Sequence, residues 1–177
     1  REEATEDFMK MAGTKEEEYV YHDKITRVAR LRLPWLITNL FGGLVTGYLM
    51  WLFKVTIKDM LALITFIPVI TGMGGNVGIQ SSSIMVRGFA TGKVDFTRVK
   101  QFLAREILVG LLMGTCCGIV VGCVGYLWHQ SFILGIVVGI SMMGSMTVAA
   151  TMGTLVPTFF RKIHVDPGIA SGPFVTT

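Results

Sequence analysis

Acidic residues are scarce over most of this 177-residue chain. Of its 12 aspartates and glutamates, only Asp59, Asp95, Glu106 and Asp166 lie beyond Trp35. Charged residues make up 16% of the chain, whereas a soluble domain carries about 25%. The composition is instead 51% hydrophobic, with a mean hydropathy of +0.60. The shortage of charge excludes an ordinary soluble domain and predicts an integral membrane protein.

The chain also lacks the residue groups that most enzymes and soft-metal sites need. Cys116, Cys117 and Cys123 share one apolar segment, with no Cys-x-x-Cys pair and no histidine cluster near them. We interpret them as small packing residues. No nucleophile–base pair or metal triad falls within an apolar segment, so we predict that the protein is not an enzyme. The net charge of +4 comes without an aromatic–basic motif, which argues against nucleic acid as a partner.

Apolar runs long enough to cross a bilayer, which takes about 20 residues, occupy most of the chain. We predict spans over about 33–53, 60–86, 102–128 and 132–160. A fifth span begins at about 168 and is cut short at Thr177. Pro34 fits the first turn of the first span, and Trp35 and Trp51 lie where interfacial aromatics are expected. The predicted fold class is all-α: a polytopic membrane helical bundle of five spans, with the fifth truncated.

Polar residues fill the region before the first span. Residues 1–18 end in the acidic run Glu16-Glu17-Glu18, which we interpret as a solvated linker. Between residues 19 and 32, apolar and basic residues alternate at roughly helical spacing. This pattern predicts an amphipathic helix lying at the membrane interface.

Basic residues are unevenly shared between the two sides of the predicted bundle. One set of loops holds Lys24, Arg27, Arg30, Arg32, Arg87, Lys93, Arg98, Lys100, Arg105, Arg161 and Lys162. The alternate loops hold only Lys54 and Lys58. Because cytoplasmic loops carry the excess of lysine and arginine, we predict a multi-pass protein with a cytoplasmic N-terminus.

Small residues recur every four positions along the third and fourth spans. The set is Gly110, Gly114, Gly118 and Gly122, followed by Gly135 and Gly139 and then by Ser141, Gly144 and Ser145. Such spacing lets helix backbones approach closely in lipid. It predicts a tightly packed seam of a bundle or dimer, in preference to a sliding, moving interface.

The second span carries a glycine-rich, amide-bearing segment from Pro68 to Gln80. A bilayer core offers no water to unpaired polar groups, so such a segment is tolerated mainly beside protein or a wet cavity. Its polar face on a helix consists of Gly72, Asn76, Gln80, Ser83 and Arg87. Pro68 cannot donate an N–H, which frees a carbonyl near Ile64. The result is a stripe of oxygen dipoles with almost no fixed charge.

This stripe suits a hard cation. Mg²⁺ prefers oxygen and gives up its waters reluctantly, whereas soft metals call for thiolate or imidazole groups. The other interpretation stays open: Asn76 and Gln80 hydrogen-bond a neighbouring helix, with Asn39 as one possible partner. Glu106 is a further candidate, for which we favour an ion pair or a helix-terminal carboxylate facing the interface. We expect Asp95 to cap the following helix.

Several motifs in combination resemble the MgtE family of magnesium channels. They are Leu33-Pro34-Trp35, the segment from Pro68 to Gln80, Arg87-Gly88, Asp166-Pro167, and Ala170-Ser171-Gly172-Pro173-Phe174-Val175-Thr176-Thr177. The resemblance implies a homodimeric domain in a bacterial inner membrane that passes hydrated Mg²⁺ through a pore lined by its second and fifth helices. It implies cytoplasmic domains that sense Mg²⁺ and close the pore.

The resemblance also implies a domain plan and a set of site residues. Residues 1–18 would be the end of a CBS-type domain and its linker, 19–32 a connecting helix, and 33–177 the pore domain. The resemblance assigns roles in the pore to Gly72, Gly75 and Asn76 of the second span. In the fifth span it assigns them to Gly172, Pro173 and Thr176. With Gln80 from the polar stripe, the predicted metal-contacting set is Gly72, Gly75, Asn76, Gln80 and Thr176. The family's magnesium-binding aspartate follows the Val-Thr-Thr element by a few residues, beyond Thr177.

Two other functions fit the same sequence. The first is a cation-coupled secondary magnesium transporter that uses the same site. The second is a non-conducting structural membrane domain whose polar stripe only packs helices together.

Overall fold

The computed structural model describes residues 25–53 and 61–165, and the regular structure in these ranges is entirely helical. The elements are α1 (Ile25–Leu52), α2 (Leu61–Ile64), α3 (Ile67–Ala90), α4 (Val99–His129) and α5 (Phe132–Lys162). The predicted all-α class is confirmed. The linker over 1–18, the first part of the connecting helix and the fifth span lie outside the described residues.

Within the described ranges, three stretches are long and apolar enough to cross a membrane: Leu61–Ala90, Val99–His129 and Phe132–Lys162. A shorter apolar stretch, Leu36–Leu52, lies in α1. The 31 residues of α4 and the 31 of α5 each extend to about 46 Å. A hydrocarbon core is about 30 Å thick, so both helices tilt or reach into the headgroup regions. A helical membrane bundle is therefore confirmed.

Pro34 and Pro68 occupy different positions along their helices. Pro34 lies inside α1, so its predicted position in a first turn is wrong: the helix has already begun at Ile25. Thr38 Oγ1 donates to the Pro34 carbonyl at 3.0 Å. Pro68 does lie in the first turn of α3, after a turn at residues 65–66 that separates α2 from α3. There its missing N–H costs no hydrogen bond, because the first N–H groups of a helix have no partner within it.

The turn before α4 also differs from expectation. Asp95 does not cap this helix, because the N-cap residue is Arg98 and makes no side-chain cap. Instead the Asp95 carbonyl accepts a hydrogen bond from the Arg98 N–H at 2.9 Å. A tight turn ending at Arg98 therefore replaces the aspartate cap.

α4 and α5 pack against each other through their glycines. A Cβ placed on Gly118 would lie 2.6 Å from the Gly139 carbonyl oxygen, and one on Gly122 would lie 2.7 Å from that of Gly135. Backbone thus meets backbone with no side chain between, which is how helices associate closely in lipid. The predicted packed seam is confirmed as a contact within one chain.

α5 is the central helix of the described bundle, because its other side packs on α3. Met142, Met146 and Ala150 of α5 form a buried cluster with Val77 of α3. Cys117 of α4 packs against the same cluster. The helix α1 makes at most isolated contacts with these three helices, and the described side chains along it are mostly exposed.

We predict that Gly118→Ala lowers the thermal unfolding midpoint of the intact protein in detergent. The new methyl group would meet the Gly139 backbone, which cannot rotate away, so a cost of about 1–3 kcal/mol follows. Gly144→Ala on α5 is the matched control, because nothing lies within 4 Å of a Cβ there. Equal midpoints for the two variants would contradict the described seam.

Candidate cation-binding face

The helix α3 has two faces of different character. Its buried face packs on α5 and consists of Gly74, Val77, Gly78, Ser81, Ser82, Met85, Val86 and Phe89. The opposite face carries Gly72, Asn76 and Gln80, all of them exposed. Because a helix turns by about 100° per residue, residues spaced by four stay on one side. The segment from Pro68 to Gln80 thus forms one regular helix with small residues behind and amides in front.

Small residues at the back of α3 fix its rotation against α5. A Cβ placed on Gly153 would lie 2.5 Å from the Gly78 carbonyl oxygen and 2.8 Å from Ser81 Cβ. About one turn before Gly78 on α3, a Cβ placed on Gly74 would lie 2.7 Å from Ser145 Oγ of α5. Ser145 Oγ also donates to the Ile70 carbonyl at 3.4 Å. These close approaches hold the glycine side of α3 inward, so the amide side points away from α5.

The predicted site residues that the structure describes lie together on this outward side. Nothing lies within 4 Å of a Cβ placed on Gly72 or Gly75. The side-chain amides of Asn76 and Gln80 form no hydrogen bond within residues 25–53 and 61–165. We call Gly72, Gly75, Asn76 and Gln80 the amide face. The remaining member of the predicted set, Thr176, lies outside the described residues.

The structure does not bring Asn39 to the amide face. Asn39 Oδ1 is buried and has no hydrogen-bond partner in the described chain, so it does not pair with Asn76 or Gln80. Helix packing among the described residues therefore leaves both amides unused. In a hydrocarbon environment an unpaired amide is costly.

Glu106 occupies a different place from the one expected. It lies on α4 and is only 8% exposed, and Ser81 Oγ donates to its Oε2 at 2.6 Å. The expectation of an ion pair or of a carboxylate facing the interface is wrong, because Glu106 turns inward to α3. This short hydrogen bond ties α4 to the buried face of α3.

Ser81 and Ser82 were not among the residues that the sequence singled out. Both are buried, at 3% and 1% exposure, and Ser82 Oγ has no partner in the part of the chain described. A signal was present, because Ser81 and Ser82 follow Gly78 by three and four residues and so fall on the same helix face as that glycine. What the sequence could not show is that Glu106, 25 residues away, meets that face.

We predict that Ser81→Ala destabilises the intact protein, since it leaves the buried Glu106 carboxylate without its donor. The expected cost is about 1–3 kcal/mol, measured as a lower unfolding midpoint. Ser141→Ala is the control, because Ser141 is exposed on α5. A midpoint for Ser81→Ala equal to that of the control would rule out the described contact.

A helical bundle with an oxygen-rich, uncharged face on one span defines a class: polytopic membrane proteins with a polar site at membrane depth. Sequence comparison narrows the class. The family model for MgtE, described as a divalent cation transporter, matches residues 67–177. The chain belongs to the MgtE family.

Curated relatives from three bacteria support this assignment. The magnesium transporter MgtE of Bacillus subtilis (strain 168) is 34% identical over 175 residues, covering 99% of this chain and 39% of the relative. That of Enterococcus faecalis is 36% identical over 176 residues, covering 99% and 38%. That of Thermus thermophilus is 33% identical over 177 residues, covering 99% and 39%. The chain thus spans about two fifths of the length of these relatives. Its family is one of transporters, in agreement with the prediction that it is not an enzyme.

Proposed function

We propose that this chain is the pore-forming part of a magnesium channel, in which the amide face of α3 lines the path of hydrated Mg²⁺. The observation that carries the proposal is the orientation of α3. Its glycine and serine side packs on α5, while Asn76 and Gln80 stay free of hydrogen bonds within the described chain. Membership of a divalent cation transporter family supports the same function.

The chemistry of the amide face fits a hydrated divalent cation. Amide oxygens accept hydrogen bonds from the waters that Mg²⁺ keeps in its first shell. Gly72 and Gly75 have no side chain, so water can approach the backbone carbonyls on this side of α3. An uncharged wall holds the ion weakly enough to release it, which conduction requires.

Other elements complete the proposed pore. The fifth span, beginning at about 168 and carrying Thr176, would form the facing wall, and a second copy of the chain would close the path. In the intact protein, cytoplasmic domains that bind Mg²⁺ would regulate it. The basic loops favour an inner-membrane location with the N-terminus in the cytoplasm.

We predict that Asn76→Ala in the intact protein lowers Mg²⁺ uptake by roughly five- to tenfold, the equivalent of one lost hydrogen bond of about 1–1.5 kcal/mol. Uptake is measured in cells that depend on the protein for Mg²⁺. The amount in the membrane should be unchanged, because Asn76 contributes no hydrogen bond to the described bundle.

Leu112→Ala is the matched control, because Leu112 is 68% exposed on α4 and far in sequence from the amide face. Uptake through the control should equal that of the parent. Normal uptake by Asn76→Ala at equal membrane levels would remove Asn76 from the path. Uptake that requires a sodium or proton gradient would show a coupled transporter instead of a channel.

A further inference from the structure

Cations crowd one end of the described bundle. The set, which we call the basic end, is Arg87, Lys93, Arg98, Lys100, Arg105, Arg161 and Lys162. All but Arg161 are exposed, and none forms an ion pair within the described chain. The acidic residues nearby are Asp95, which is exposed, and Glu106, which is buried against Ser81. Among the residues that the structure describes, the basic end is therefore strongly positive and no ion pair neutralises it.

Helix lengths allow these cations to reach the depth of lipid phosphates. The helix α4 is about 46 Å long, and a hydrocarbon core takes up about 30 Å of that. About 16 Å is left for the two headgroup regions together. Arg105 is the seventh residue of α4, about 9 Å from its start, which is the border between headgroups and hydrocarbon when the overhang is shared equally. Arg87 lies in the last turn of α3, and Arg161 and Lys162 lie in the last turn of α5.

One cation of the basic end is held in place by aromatic rings. The Arg161 guanidinium carbon lies 4.4 Å from the centre of the Phe89 ring and 5.9 Å from that of Phe96. The two rings are themselves 6.1 Å apart. A guanidinium over an aromatic face is held by a cation–π interaction, which makes no use of its N–H donors toward an acceptor. Arginine can direct those donors to phosphate in a bidentate manner.

The loop that carries Phe96 is fixed onto the end of α3. The Val94 N–H donates to the Gly88 carbonyl at 3.0 Å, and Val94 is buried against the same residue. A Cβ on Gly88 would lie 2.6 Å from Val94 Cγ2, so only glycine permits this fit. The platform beneath Arg161 is therefore preorganised, which lowers the entropic cost of binding an anion.

The geometry points to the basic end as a binding surface for the phosphates of anionic phospholipids, with Arg161 as its fixed point. Charge and depth together favour lipid over a soluble anion. At the far end of the bundle, the described turn around His129, Gln130 and Ser131 has no lysine or arginine, and the sequence places only Lys54 and Lys58 on that side. The surface therefore serves one leaflet. The inference rests on the membrane location and stands apart from the proposed Mg²⁺ path.

The test uses the intact protein in phosphatidylcholine vesicles doped with spin-labelled lipid. The motionally restricted fraction gives the association constant of labelled phosphatidylglycerol relative to labelled phosphatidylcholine. We expect a preference for phosphatidylglycerol that falls as salt is raised. Arg161→Gln should reduce it by roughly fivefold, the effect of about one cation at a membrane surface. Arg161→Lys should reduce it less, because the charge stays and the planar stack is lost.

Lys54→Gln is the control, since it removes a cation from a loop predicted to lie on the other side. It should leave the preference unchanged. If Arg161→Gln does not fold, Lys93→Gln with Lys100→Gln tests the same surface and should lower the preference.

The proposal is overturned if the parent shows no preference, or if removing these cations changes nothing. Loss of the preference in millimolar inorganic phosphate, but not in sodium chloride of equal ionic strength, would assign the surface to a free anion. A preference that emerges only when Glu16, Glu17 and Glu18 are changed to Gln would assign it to the chain's own acidic segment.

Discussion

The close approach of backbones along α5 is the constraint on which the rest of this structure depends. On one side its glycines Gly135 and Gly139 meet those of α4, and on the other Gly153 meets the Gly78 carbonyl of α3. Between helices in lipid there is no water-driven hydrophobic effect, so contact comes from van der Waals packing and a few hydrogen bonds. A side chain at any of these glycines would separate two helices. The Ser81–Glu106 hydrogen bond adds a polar tie where α3 meets α4.

The orientation of the amide face is a consequence of this packing. Once the small side of α3 is committed to α5, Asn76 and Gln80 must lie on the side that the described bundle leaves open. An amide facing hydrocarbon is costly, so that side needs water or a polar partner. A water-filled path would give these amides hydrogen-bond partners without a donor from another helix. In the proposed pore, the glycines would leave backbone carbonyls accessible to water and the amides would supply side-chain oxygen.

The parts of the fold that depend on local spacing could be predicted from the sequence. The four-residue repeat of glycines predicted the α4–α5 seam, and the same spacing grouped Gly72, Asn76 and Gln80 on one face of a helix. Contacts between distant residues could not be predicted this way. Glu106 was expected to form an ion pair or to face the interface near the start of its span, whereas the structure turns it to Ser81. The stacking of Arg161 on Phe89 depends equally on tertiary structure, because α3 and α5 must first be placed side by side.

The central claim is that the amide face of α3 borders water at membrane depth, and thiol accessibility measures this directly. Cysteine would be introduced as Asn76→Cys or Gln80→Cys in the intact protein, with Cys116, Cys117 and Cys123 replaced by alanine. The account predicts that a charged, membrane-impermeant thiol reagent modifies both positions, that Mg²⁺ slows the modification, and that Leu112→Cys on α4 stays unmodified. If Asn76→Cys and Gln80→Cys are as unreactive as Leu112→Cys, the amide face does not border a water-filled path and the account is contradicted.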